Sequence, residues 1–83
     1  SPVGSFVADR CVVGRRHAVP VKELYGAWRE WCESNGRDRP GDAQHFGRMI
    51  RAFLPGVTTR RDGLRGQQTR VYEGVNLTHK EAF

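Results

Sequence analysis

Asp42-Ala43-Gln44-His45-Phe46-Gly47-Arg48-Met49-Ile50-Arg51-Ala52-Phe53-Leu54 reads as a short helix with two unlike faces. With Phe46 at zero on a wheel of about 100° per residue, Met49, Ile50, Phe53 and Leu54 fall within roughly 80° of it. Gln44, Arg48 and Arg51 lie opposite, at about 140 to 200°. One side is built to anchor in a core, and the other presents an amide and two guanidiniums. The Asp42 carboxylate, after Pro40-Gly41, can accept from the free N–H groups of the first turn. Pro55-Gly56 lacks one N–H and adds a flexible residue, so helical hydrogen bonding stops near Leu54.

Toward the C-terminus, Val57-Thr58-Thr59-Arg60-Arg61 and Thr69-Arg70-Val71-Tyr72-Glu73-Gly74-Val75 are rich in β-branched and aromatic types. The polar, glycine-bearing Asp62–Gln67 between them predicts a β-hairpin. Its cations are Arg60, Arg61, Arg65 and Arg70. The buried face of the second strand stays open, since both the Val71-Val75 set and Tyr72 claim it. From residue 78 to residue 83 a fraying tail is expected beyond the apolar anchor Leu77.

Toward the N-terminus, Arg37-Asp38-Arg39-Pro40-Gly41 forms the turn that separates this helix from another. That earlier helix opens at Pro20 and ends at Asn35-Gly36. Val21, Leu24, Trp28, Trp31 and Cys32 recur along it at three- and four-residue spacing, laying an aromatic stripe on the core. The two tryptophans and Tyr25 also suit a platform for stacking bases, although a core in so small a chain needs the same periodicity. Ser1-Pro2 predicts the start of a first helix, which Val3, Phe6, Val7 and Cys11 carry to Val12 or Val13. Gly14-Arg15-Arg16 breaks that pattern, and His17-Ala18-Val19 before Pro20 reads as one short strand.

The chain has 83 residues, enough for one small domain near the lower limit for a single core. Its formal charge is +5, and 12 of its 14 basic residues are arginine. Residues 37–70 carry +5, against +1 for residues 1–36 and −1 for residues 71–83. Positive charge thus gathers on the helix and hairpin, which attracts polyanions by counterion release. Cys11 and Cys32 form no CxxC pair and sit in helix-like apolar patterns, where a buried thiol is the commoner outcome. No usual ligand spacing recruits His17, His45 or His79 to a metal. No run is apolar enough to span a bilayer, and the reading is a soluble intracellular module without cofactor.

The order of helix, short strand, helix, turn, helix and two-stranded hairpin is an α+β winged helix-turn-helix plan. Its expected partner is double-stranded DNA, met by the third helix in the major groove and by a basic wing on the backbone. Gln44 has the donor and acceptor pair that matches adenine, and Arg48 or Arg51 matches guanine. His45, at the edge of the exposed face, can reach phosphate or base. Wing arginines are expected to hold phosphates and fix register.

Phe6–Cys11, Val19–Tyr25, Trp31-Cys32, Phe46-Gly47-Arg48 and Arg70–Val75 together resemble the C-terminal domain of phage and plasmid primase-helicases of superfamily 3. That resemblance covers Ser1 to Leu77. It implies an origin-recognising DNA-binding domain tethered to helicase and primase parts that assemble as a ring. The location implied is the cytoplasm or nucleoid of a bacterial cell, on a mobile element. It further implies Phe46 as the core anchor of the recognition helix, Gly47 as the point of close packing on the second helix, and Arg48 as a DNA-facing basic residue. Gly41-Asp42 departs from the Leu-Ser-like pair usual in that family.

Other classes are weighed on the same residues. No GxxxxGK[ST] loop, nucleophile-base pair or paired carboxylates occur, so the chain itself is expected to carry no catalysis. A winged helix used for protein contacts and the DNA-binding domain of a transcriptional regulator remain as alternatives.

Overall fold

The computed structural model describes residues 1–78; of the tail expected over residues 78–83, residues 79–83 lie outside them, and Thr78 N donates to the Arg10 carbonyl at 2.8 Å. Three helices and a three-stranded antiparallel sheet follow in the order α1 (Pro2–Arg10), β1 (Cys11–Pro20), α2 (Val21–Ser34), α3 (Ala43–Phe53), β2 (Thr58–Asp62) and β3 (Thr69–Leu77). The architecture is α+β and consistent with a winged helix.

Two features of the N-terminal third differ from the sequence reading. The first helix ends at Arg10, short of Val12. The single short strand becomes the ten-residue β1, and the sheet runs β1-β3-β2 instead of forming an isolated hairpin. Cys11, Val12 and Val13 pair with Leu77, Asn76 and Val75, so β-branched residues that continue a helical spacing are claimed by a distant strand. Gly14-Arg15-Arg16-His17 is the break in that pairing. Val13 faces Val75 and Ala18 faces Glu73, which leaves four residues bulged opposite Gly74 alone.

Gly74 also resolves which face of β3 is buried. Its φ of +101° inserts an irregular step, so Tyr72 before it and Val75 after it both enter the core. An even spacing of two would have sent them to opposite faces.

The core is aromatic, as the stripe on α2 requires. Phe46 is 0% exposed, and its ring stacks on Trp28 at 5.4 Å and meets Phe6 edge-on at 6.1 Å. Trp28 and Trp31 are 2% and 5% exposed, so neither offers a face to a base, and the stacking platform is set aside. Their indole N–H groups are satisfied at the rim: Trp28 Nε1 donates to the Pro40 carbonyl at 2.8 Å, and Trp31 Nε1 to Asp9 Oδ2 at 3.0 Å.

Those bonds place α3. The Tyr25 hydroxyl donates to the Gly41 carbonyl at 2.6 Å, so two aromatic side chains of α2 grip consecutive carbonyls of the turn. Gly36, at φ +70°, closes α2 while Arg37 N donates to the Cys32 carbonyl at 2.8 Å. Gly41 reverses the chain at φ +78°, and Asp42 Oδ1 accepts from His45 N at 2.8 Å as the cap of α3. The Gly41-Asp42 pair is therefore a well-held entry to α3. Phe53, assigned to the core by the wheel, is 44% exposed because α3 runs past the core there, and its ring packs over Gly4 of α1.

Candidate nucleic-acid interface

Phe46 and Ile50 are fully buried, so rotation about α3 is fixed and Gln44, Arg48 and Arg51 are turned outward. The sheet brings a further cation to them. The register pairs Thr59 with Tyr72 and Arg61 with Arg70, and Tyr72 points to the core beneath α3. Alternation then sets Arg61 and Arg70 on the face of the wing that looks toward α3. Gln44, Arg48 and Arg51 line a cleft of about 340 Å³ with Arg70 and Tyr72, and Val21, Ala43 and Gly47 complete its lining. No carboxylate lines it.

Arg60 goes the other way. It pairs with Val71, and its guanidinium bonds Glu73 at 3.0 Å and Asp62 at 3.1 Å. Glu73 first and Asp62 second raise its pKa further above an already high value. The ion pairs found among the described residues both belong to Arg60. Of the four wing arginines named from sequence, Arg61 and Arg70 join the α3 surface, Arg65 stands exposed at the tip, and Arg60 is neutralised on the opposite face.

His45 lies on the far flank of α3. With Met49, Trp28 and Pro40 it lines a larger hollow of about 420 Å³, whose rim alternates Arg37, Asp38 and Arg39. Mixed charge makes that hollow a poorer seat for a polyanion than the smaller cleft, where every charged group is cationic.

Three residues of this surface escape a reading by charge. Tyr72 lines the cleft although it is 1% exposed. Gly47 serves β3, in place of the expected packing on α2: a Cβ there would lie 3.0 Å from Tyr72 Oη and 3.3 Å from Arg51 Nη1. Leu64, at 78% exposure, crowns the wing between Gly63 at φ +109° and Gly66 at φ +87°. An apolar residue inside an otherwise polar turn was the available signal.

Residues 3–79 match the family described as the RFX DNA-binding domain. The chain is 39% identical over 57 residues to the human DNA-binding protein RFX5, covering 69% of this chain and 9% of that protein. It is 40% identical over 65 residues to regulatory factor X 4 of Xenopus laevis, covering 78% and 9%. It is 29% identical over 76 residues to the transcriptional regulator RFX1 of Candida albicans, covering 92% and 9%. The chain thus spans about a tenth of the length of these relatives.

These findings correct the resemblance to primase-helicases. The family match over residues 3–79 is to the RFX DNA-binding domain, and with the primase-helicase resemblance go the origin-recognition role and the tether to a helicase-primase ring. The bacterial, mobile-element location goes too, because the relatives come from animals and fungi. Within the runs that carry the primase resemblance, Trp31, Cys32, Phe46 and Gly47 are buried positions inside α2 and α3, and Arg48 is exposed on α3. With a match over nearly its whole length, the chain belongs to the RFX DNA-binding domain family.

Proposed function

We propose that this chain is the duplex-DNA-binding module of a longer transcriptional regulator and holds DNA on the continuous cationic surface of α3 and the wing. The observation that carries the reading is the sharing of one acid-free cleft by Gln44, Arg48 and Arg51 of α3 and Arg70 of β3. The names of the relatives, a DNA-binding protein and a transcriptional regulator, support the same role. Such a role is exercised on chromosomal DNA.

Within this surface Arg48, Arg51, Arg61, Arg65 and Arg70 are the phosphate-holding cations, since Arg60 is occupied by Glu73 and Asp62. Gln44 carries the amide that suits an adenine edge, and His45 is a peripheral contact at the helix entry. Neutralising five phosphates gives a log–log salt dependence with a slope of about −4.5. Fluorescence anisotropy on a labelled duplex across a salt series measures it. A slope near zero, or equal affinity for an uncharged backbone analogue, would remove the polyanion reading.

A further inference from the structure

We infer that the cleft between α3 and β3 seats a single DNA phosphodiester, with the Tyr72 hydroxyl as its deepest donor and Gly47 as the residue that leaves it room. The inference rests on the DNA-binding reading above and adds to it an uncharged residue that charge-based reasoning passes over.

The Tyr72 ring is locked in the core, edge-on to Phe46 at 6.4 Å and 79°. Its hydroxyl makes no hydrogen bond within the described residues, and none of the enclosed side-chain polar atoms there lacks a partner. The oxygen therefore opens into the cleft, where it lines the wall beside Arg51 and Arg70. A tyrosine hydroxyl at a buried ring usually finds a partner. Here the partner has to come from outside.

The chemistry of that partner follows from the donors. Arg48, Arg51 and Arg70 carry only N–H groups, and Tyr72 adds an O–H aimed at the same space. Burial raises the Tyr72 pKa, and nearby Arg51 and Arg70 only partly offset it, so the hydroxyl stays protonated and donating at neutral pH. A group that accepts several hydrogen bonds and carries negative charge takes the Tyr72 O–H together with an adjacent guanidinium, as a phosphodiester does, and leaves the remaining arginines to neighbouring phosphates. Gly47 completes the seat: any Cβ there would crowd Tyr72 Oη and Arg51 Nη1 together, at 3.0 and 3.3 Å.

The test uses Tyr72→Phe, which keeps the buried ring and deletes the hydroxyl, on a duplex recovered by the wild-type chain from a random-sequence pool. Binding should weaken roughly three- to ten-fold, with the thermal midpoint retained. The salt slope should stay unchanged, because no charge is lost, whereas Arg48→Ala should lower it by about 0.9. Replacing phosphates of that duplex one at a time by neutral methylphosphonate should reveal one position whose penalty shrinks in the Tyr72→Phe protein. Gly47→Ala should weaken binding with the same pattern if Tyr72→Phe proves hard to fold. Wild-type affinity in both variants, or penalties that simply add at every phosphate, would overturn the inference while leaving the DNA-binding reading in place. Failure of the wild-type chain to retain any duplex would remove that reading instead. A Tyr72-dependent rise in thermal midpoint with inorganic phosphate, without loss of duplex affinity in Tyr72→Phe, would assign the cleft to the free ion and overturn the phosphodiester.

Discussion

Arg61 of β2 stands directly across from Arg70 of β3, two cations paired on the face of the wing that looks toward α3. Like charges opposite each other destabilise an antiparallel pair, by a few tenths to about 1 kcal/mol. Neither forms an ion pair within the described residues, while Arg60 one position earlier collects both carboxylates in reach. The wing thus concentrates its repulsion on the side proposed for DNA.

That arrangement makes opposite predictions for stability and binding. Arg61→Thr removes the repulsion and supplies a β-branched residue suited to the strand, so the thermal midpoint should rise. Duplex affinity should fall and the salt slope shrink by about 0.9. A melting curve and a salt series on the same variant check both, and a drop in midpoint together with unchanged affinity would contradict the assignment of Arg61.

Arg48 and Arg51 are exposed on α3 and contribute nothing to the core cluster. Changing both to Ala should therefore weaken duplex binding ten-fold or more, roughly 1.4 kcal/mol or above. The thermal midpoint should barely move, and alanine's helix propensity favours its retention. Equilibrium binding at fixed salt decides the matter, and undiminished affinity would shift the interface away from α3.

How far these residues were legible in the sequence depends on the range of the interactions that place them. The turn chemistry of Asp42, Gly41 and Pro55 and the period of Phe46 and Ile50 act within a few residues, so α3 and its outward arginines are readable locally. β1 is not, because Cys11, Val12 and Val13 keep the spacing of α1 until pairing with residues 75–77 pulls them into the sheet. The distinction between Arg60 and Arg61 is a matter of strand parity, which the register with β3 decides. Tyr72 depends on Gly74, one φ of +101° that shifts which residues of β3 face inward. The family is not legible locally for a related reason: short runs inside α2, α3 and β3 reflect the packing of this plan and leave the parent protein undetermined.

Trp28 ties the core to the turn that precedes α3. It stacks on Trp31 at 5.8 Å and on Phe46 at 5.4 Å, and its Nε1 holds the Pro40 carbonyl at 2.8 Å. Trp28→Ala should cost about 3 to 5 kcal/mol, enough to unfold much of so small a domain. Chemical denaturation measures it. A variant that stayed stable and lost only DNA binding would restore the base-stacking role that burial argues against.

The two thiols give the stability a pH limit. Burial pushes the Cys11 thiol from 9.0 up to about 11, only partly opposed by Arg10, and burial raises Cys32 as well. Each is held neutral in the folded chain and ionises more readily in the unfolded one. The Cys11 contribution is therefore whole below pH 9.0 and is lost as pH climbs toward about 11, and Cys32 acts with the same sign above pH 9.0. Tyr72, raised above its ordinary 10.0 by burial, acts with the same sign at higher pH. The thermal midpoint should be flat from neutrality to about pH 9 and then decline, and the decline should be shallower in Cys11→Ala. A midpoint that rose over this range, or an equal decline in the variant, would show that Cys11 is not held neutral by the fold.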